Sequence, residues 1–353
     1  GQITYDYLKG LGFSQIDVTG CPSLALNGPG LPLREKQPLT PESKLCFTGS
    51  VSNPPDFKKF AVRCTERFPN TYFVPQFIDD LRLMYLGIPH PDTADSRVLH
   101  PTNLDHPVFV EDKARFFINL PSMFAFNREM DFNYGTRIHG AIGNILCGVP
   151  SLLFPTDARI RELAEYHNIP AIPASAVTPD TDLAALYDQT DFRQVNNGHA
   201  ERFWHLIDFL NENGIKTIYD DRTGTPARSL YDEKTAATSY AQPVHSMLVR
   251  PPEEIARRVD TAMRLQRKEI EDDSRLATQL RDSQRKVTQL QERNKKQAAQ
   301  IQALKEERKA LKTELKATKK PLRRLAWYQR TSTFGIGFAR LKKKLRRLLG
   351  KEK

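Results

Sequence analysis

Residues 131–162, DFNYGTRIHGAIGNILCGVPSLLFPTDARIRE, carry the pattern that decides the fold. We predict a loop that leads to Arg137, then a helix over residues 141–147, a tight turn at Gly148 and a strand over residues 150–154. Glycine suits the turn because it adopts backbone conformations closed to other residues. A second helix follows from about residue 160. Helices that alternate with a short apolar strand predict an α/β fold with a parallel sheet.

The same alternation extends over the first 215 or so residues. Predicted strands cover residues 15–19, 44–48, 71–74, 97–99, 150–154 and 169–172. Predicted helices cover residues 5–11, 56–68, 77–86, 141–147, 160–167 and 200–213. We therefore expect residues 43–215 to form one Rossmann-like domain, with helices on both faces of the sheet.

The segments around that domain differ in composition. Residues 29–42 are rich in proline and are expected to be a linker. Residues 1–28 are too few for a domain. We expect them to be the remnant of a first Rossmann-like domain, and the chain to be a fragment. Residues 216–252 lose periodicity and predict a loop-rich connector.

Heptads follow over residues 253–320, where Arg, Lys, Gln, Glu, Ala and Leu dominate. Eight of the twelve a and d positions counted from residue 276 are apolar, and we call these eight the heptad core: Leu276, Leu280, Val287, Leu290, Ile301, Leu304, Leu311 and Leu315. Asn294 at an a position favours a parallel two-stranded coil. We expect a homodimer through this coiled coil, with a single solvated helix as the alternative.

Positive charge is concentrated at the C-terminus. Residues 319–353 hold thirteen Lys or Arg and one acid, a net +12, so the rest of the +11 chain stands at −1. A near-neutral body argues against nucleic acid as the partner of the whole protein. No stretch approaches the roughly 20 apolar residues of a membrane-spanning helix.

The tail, residues 321–353, has an amphipathic pattern. Pro321 is expected to end the preceding helix. Beyond it, five apolar residues fall on one helical face: Phe334, Phe338, Leu341, Leu345 and Leu348. A basic amphipathic helix suits an anionic membrane surface, so we expect a peripheral protein on the cytoplasmic face of a membrane. RNA binding and a solvated tail are the alternatives.

The four cysteines, Cys21, Cys46, Cys64 and Cys147, show no spacing typical of a metal site. Scattered cysteines in a chain of this length fit reduced thiols in the cytoplasm. We therefore expect no metal and no bound cofactor.

Three residues just before the helix predicted over residues 141–147 suit a small anionic ligand. Arg137 offers a bidentate donor for carboxylate or phosphate, and His139 exchanges a proton near neutral pH. Gly140 leaves room for an anion to approach the backbone N–H groups where the helix begins. Arg159 is a candidate second anion contact. The alternative is structural: a buried histidine that caps a turn, and an arginine paired with Asp131.

The segment G-x-R-x-H-G, with the G-x-P turn at Gly148 and the D-x-R-x-x-E-L run from Asp157, resembles the polysaccharide pyruvyl transferase family. The stretch YLKGLGFSQIDVTGCPSL, which contains Gly20 and Cys21, resembles the end of that family's first domain. The resemblance covers residues 1 to about 213. It implies one half of a GT-B-like pair of Rossmann-like domains, and on this resemblance we expect most of the N-terminal domain to be missing from the sequence.

The resemblance also implies an activity: transfer of the pyruvyl group of phosphoenolpyruvate to a sugar of a cell-surface polysaccharide, as a ketal. The acceptor would be a sugar or a lipid-linked oligosaccharide. His139 would be the acid and base, and Arg137, Gly140 and Arg159 would bind the donor. Two alternatives stay open: a GT-B glycosyltransferase that uses a nucleotide sugar, and a non-catalytic, membrane-tethered coiled-coil protein.

Overall fold

The structure is a computed structural model, and it describes residues 1–50, 53–90, 101–219, 222, 230–331 and 337–348. The chain divides into two units, Gly1–Gln266 and Arg267–Lys353. The strand predicted at residues 97–99 lies outside the described residues.

The first unit is built on a parallel sheet. Its four strands are β1 (Leu45–Thr48), β2 (Thr71–Phe73), β3 (Phe132–Gly135) and β4 (Ser151–Leu153). They lie in the order β2-β1-β3-β4, and every neighbouring pair is parallel. In the central pair, Leu45 lies opposite Phe132 and Thr48 opposite Gly135. The predicted α/β fold with a parallel sheet is confirmed.

Helices connect and cover the strands. In chain order they are α1 (Gln2–Gly10), α2 (Pro55–Arg67), α3 (Ile78–Leu86), α4 (Pro107–Val110), α5 (Leu120–Asn127), α6 (Ile138–Leu146), α7 (Ala158–Tyr166), α8 (Leu183–Gln189), α9 (His199–Glu212), α10 (Leu230–Thr235), α11 (Pro252–Thr331) and α12 (Gly337–Leu348). α10 lies in the predicted connector.

Side chains alternate between the two faces of the sheet because successive residues of a strand point in opposite directions. One face of β1 and β3 packs against α2 in a core of aromatic and aliphatic residues that includes Phe47, Phe57 and Tyr134. The opposite face carries α6 and α7, whose Ile142 and Ile160 share a second core with Leu153. The sheet is thus the middle layer of three.

β3 corrects the sequence prediction, which placed a loop before Arg137. Residues Phe132–Gly135 are all buried between β1 and β4. Phe132 and Tyr134 enter the aromatic core beneath α2, and Asn133 occupies the other face. The sequence FNYG does not predict a buried strand, because such strands are recognised as continuous apolar runs and here a polar residue and a glycine interrupt the run.

Two predicted strands do not form. Residues 15–19 form no strand. The Asp17 carboxylate accepts a hydrogen bond from the N–H of its neighbour Val18, so this N–H does not pair with another strand. Residues 169–172 make a single bridge, between Ala171 and Leu153. Proline has no N–H to donate, so Pro170 and Pro173 limit pairing there.

The predicted linker, residues 29–42, is hydrogen-bonded to the domain. The Arg34 backbone N–H and side-chain Nε both donate to the Gly148 carbonyl, at 3.0 and 3.2 Å. The Arg34 guanidinium also donates to the carbonyls of Arg128 and Met130. Lys36 Nζ donates to three carbonyls around the end of α8.

The second unit is helical where it is described. α11 continues through Pro321, so the prediction that this proline ends the helix is wrong. A proline inside a helix lacks the N–H for one backbone hydrogen bond, and the helix continues because the flanking residues keep theirs. All eight heptad-core side chains are exposed, by 53% to 63%.

α12 contains most of the apolar stripe predicted in the tail, although Phe334 lies outside the described residues. Its Leu341 and Leu345 are exposed, as are Lys342 to Lys344 between them. Among the helices of the described residues, none combines the length and the apolar character needed to cross a membrane.

Candidate functional site

The strand order places a topological switch point between β1 and β3. From β1 the chain passes to β2 on one side, and β3 and β4 then lie on the other side. α2 leaves β1 towards one face and α6 leaves β3 towards the opposite face, so the two connections diverge. Ligands of open α/β sheets bind at such a switch point, outside the carboxyl ends of the strands.

Residues at this switch point are held by Thr48, the last residue of β1. The Thr48 carbonyl accepts the N–H of Thr136 at 2.9 Å and that of Arg137 at 3.3 Å. The Thr136 hydroxyl donates to Asn53 Oδ1 at 2.8 Å, which ties the β1 connection to the β3 connection. Arg137 and His139 therefore start from a fixed backbone.

Arg137 is half-buried and precedes the first residue of α6. Its guanidinium lies over the ring of Phe77, 4.1 Å from the centroid. Burial lowers the pKa of Arg137, the charge of Asp80 raises it, and the nearby Arg159 lowers it again. Across the described residues, the Arg137 side chain makes no hydrogen bond and no ion pair. The site thus holds a partly desolvated positive charge.

His139 is exposed, in the first turn of α6. Its Nε2 lies 3.8 Å from Cys21 Sγ, a hydrogen-bonding distance for sulfur. The imidazole is therefore open to a ligand on one side and faces a thiol on another. The structural alternative, a buried histidine, does not describe this arrangement.

The other half of the structural alternative paired Arg137 with Asp131. Asp131 instead accepts the backbone N–H of Lys44, at 2.8 Å, next to the first residue of β1. It lies before β3, whereas Arg137 lies beyond that strand, so the two residues belong to opposite edges of the sheet.

Gly140 is buried, and the structure gives a packing reason for it. A Cβ at this position would lie 2.6 Å from Cβ and Cγ2 of Thr48, closer than real contacts allow. α6 therefore approaches the end of β1 through a residue without a side chain. Its first N–H groups start at the sheet edge, as at other helix N-termini that face anions.

Arg159 and Asp157 follow β4, on the same edge of the sheet. Asp157 caps α7 by accepting the N–H of Ile160 at 2.8 Å, and Arg159 is exposed in the first turn. Both affect the pKa of Arg137 through their charges. Arg161 pairs with Glu165 along α7, and Glu162 accepts hydrogen bonds from Thr4.

Sequence reasoning missed two residues of this edge, Cys21 and Phe77. Both lie far from the R-x-H segment along the chain, and only the fold brings them to it. The G-C-P-S run was the available signal for Cys21, since the resemblance already singled it out. Within the described residues, no group of His, Cys, Asp and Glu side chains is arranged to hold a metal ion.

The comparisons with known proteins add little to this geometry. No protein-family model matches the chain, and no curated protein does. A solved structure described as the glycotransferase of kitacinnamycin is similar to 51% of the chain, at 18% identity and a TM-score of 0.25. The chain spans 42% of the length of that structure. This similarity is too low to carry an argument. The fold is therefore assigned from the observed sheet, and a function has to be argued from the residues of the site.

Proposed function

We propose that the first unit transfers the pyruvyl group of phosphoenolpyruvate to a sugar of a cell-surface polysaccharide. The state of Arg137 carries the proposal. Burial and the charge of Arg159 lower its pKa, although the charges of Asp80 and Asp157 act to raise it, and within the described residues its side chain makes no hydrogen bond and no ion pair. A bound anion would relieve both effects, because a charge-assisted hydrogen bond to guanidinium is among the strong ones.

Phosphoenolpyruvate suits this site because it is a small molecule with two anionic groups, a phosphate and a carboxylate. Arg137 and Arg159 provide two positive charges at the carboxyl edge of the sheet, and the first turn of α6 adds backbone donors. The ring of Phe77 supports the Arg137 guanidinium from one side. The proposal requires the imidazole of His139, two residues along the chain in the first turn of α6, to reach the bound donor.

His139 would supply the proton that starts the reaction. Protonation of the methylene carbon turns the enol carbon into an oxocarbenium-like centre, and a sugar hydroxyl attacks it and returns a proton to the imidazole. The C–O bond to phosphate then breaks, the second sugar hydroxyl attacks the same carbon and closes the ketal, and its proton leaves on the released phosphate. A well-placed general acid and base contributes about 10²- to 10⁴-fold to such a step.

The test is phosphate release by the full chain from phosphoenolpyruvate, with lipid-linked saccharides as acceptors. His139→Gln should lower the rate by about 10² or more. The matched control is His205→Gln, because His205 is exposed on α9 and pairs with Asp17. It should leave the rate unchanged. Undiminished release by His139→Gln would eliminate this role. If nucleotide sugars raise the thermal midpoint and phosphoenolpyruvate does not, the protein is a glycosyltransferase instead.

For the second unit we propose a homodimer through the heptad core and attachment of the tail to an anionic membrane. Exposure of all eight heptad-core residues on one long helix supports the dimer. Exposed Leu341 and Leu345 among lysines support the attachment. Deletion of residues 319–353 should abolish co-sedimentation with vesicles rich in phosphatidylserine, and persistent co-sedimentation would refute the attachment.

A further inference from the structure

Cys21 differs from the other three cysteines of the chain. Cys46, Cys64 and Cys147 are buried. Burial raises the pKa of Cys64, and it raises the pKa of Cys46 to about 12 and that of Cys147 to about 11. These three thiols are protonated at neutral pH and shielded from reagents. Cys21 is only half-buried and lies at the carboxyl edge of the sheet, beside His139.

The backbone around Cys21 is fixed on α7. The N–H of Cys21 donates to Nε2 of His167 at 2.8 Å. Gly20 adopts a φ of +67°, and a Cβ there would lie 2.4 Å from the same nitrogen, so a glycine is needed for this close approach. The Tyr166 hydroxyl donates to the Val18 carbonyl at 2.9 Å. The backbone that carries the thiol is therefore anchored at the C-terminal end of α7.

Two side chains stabilise the thiolate form of Cys21. Burial by itself raises the pKa of the thiol, but hydrogen bonds with His139 and Ser23 more than offset burial and lower the pKa to about 7. The titratable groups that face Cys21 are His139 from α6 and His167, the residue that follows α7. Burial lowers the pKa of His167 to about 4, so His167 is neutral near pH 7, whereas Nε2 of His139 lies 3.8 Å from the thiol sulfur.

We propose that Cys21 is a nucleophilic thiol, activated by His139, and a site of covalent modification by soft carbon electrophiles such as haloacetamides and α,β-unsaturated carbonyl compounds. The pair has the parts that activate a cysteine elsewhere: a thiol within reach of an imidazole, at a partly exposed position. This proposal does not depend on pyruvyl transfer.

The chemistry balances without an oxidant or a metal. The Cys21 proton passes to Nε2 of His139, and the sulfur attacks the electrophilic carbon. With iodoacetamide, a C–S bond forms, the C–I bond breaks and iodide leaves with its electron pair. The imidazolium then gives its proton to water. With an unsaturated carbonyl compound, the proton is delivered to the α-carbon and nothing leaves.

The test is limited labelling of the full native chain with iodoacetamide, followed by digestion and mass spectrometry of each cysteine. At pH 7, Cys21 should be labelled at least about tenfold faster than the other three, which serve as internal controls. Equal labelling of all four cysteines, or labelling of Cys147 ahead of Cys21, would overturn the proposal.

The pH dependence separates activation by His139 from simple exposure. The labelling rate of wild-type Cys21 should rise with a midpoint near pH 7, and in His139→Gln the midpoint should move to about 8.5 or above. At pH 6 that variant should react about tenfold more slowly, after allowance for the lower nucleophilicity of a low-pKa thiolate. His205→Gln should match the wild type. An unchanged midpoint in His139→Gln, at any absolute rate, would contradict the proposal.

Discussion

Thr48 holds the candidate site together at the scale of single residues. Its carbonyl accepts the N–H groups of Thr136 and Arg137, and its side chain fills the space that a Cβ on Gly140 would need. The proposed anion site therefore depends on a close contact between the end of β1 and the start of α6. A glycine in that contact has a structural role whether or not a ligand is bound.

Gly140→Ala should destabilise the first unit by about 1–3 kcal/mol, because the added methyl group overlaps Thr48. The control is Gly143→Ala in the same helix, where the Cβ would meet the flexible end of Met123 at 2.9 Å. There the better helix propensity of alanine, about 1 kcal/mol, opposes the contact. Urea unfolding of both variants measures the difference, and equal stabilities would contradict the packing role of Gly140.

His167 makes the free energy of unfolding depend on pH. Its pKa is lowered to about 4 by burial and by the charges of Arg202 and His199, whereas the unfolded value is 6.5. The unfolded chain therefore binds this proton more readily, and the stabilisation present above pH 6.5 is lost as the pH falls towards 4. Between pH 7 and 5 the free energy of unfolding should drop by about 2 kcal/mol from this group.

His167→Gln retains an acceptor for the Cys21 N–H and removes the titration. Its free energy of unfolding should therefore change less than that of the wild type between pH 7 and 5. If the two pH profiles are parallel, His167 is not the titrating group.

At the scale of elements, Arg34 fastens residues 29–42 to the ends of the sheet and α5. Arg34→Met keeps the aliphatic part but removes the donors to the carbonyls of Gly148, Arg128 and Met130, which should cost about 1–2 kcal/mol. Arg193→Met is the control, since its ion pair with Glu35 is solvent-exposed and worth at most about 1 kcal/mol. Equal effects in urea unfolding would show that residues 29–42 are a passive linker.

Sequence patterns predicted the elements that have strong periodicity. β1, β2 and β4 are apolar runs, and α2 and α9 carry regular apolar faces, so each was placed within a few residues. β3 was missed because FNYG is not an apolar run. The R-x-H segment of the candidate site is a local pattern, and its role stays a prediction. Cys21 and Phe77 were not, because a sequence does not show which distant segments meet at one edge of a sheet.

At the scale of the whole molecule, the exposed heptad core predicts association. The full chain should sediment as a dimer, and the double variant Leu290→Glu, Leu304→Glu should sediment as a monomer because charges at core positions oppose pairing. The control places the same two charges at outer f positions, Thr278→Glu with Ala299→Glu, and should remain a dimer. A monomeric wild type at micromolar concentration would contradict the coiled coil.

The central claim is that Arg137 binds an anionic donor at the switch point of the sheet. Titration calorimetry of the full chain with phosphoenolpyruvate tests it most directly. Arg161→Gln is the matched control, because Arg161 is exposed on α7 and pairs with Glu165. We expect binding by the wild type and by Arg161→Gln, and affinity at least tenfold weaker in Arg137→Gln, which corresponds to about 1.4 kcal/mol. Equal affinity in Arg137→Gln and the wild type, or no binding of phosphoenolpyruvate by the wild type, would contradict the account.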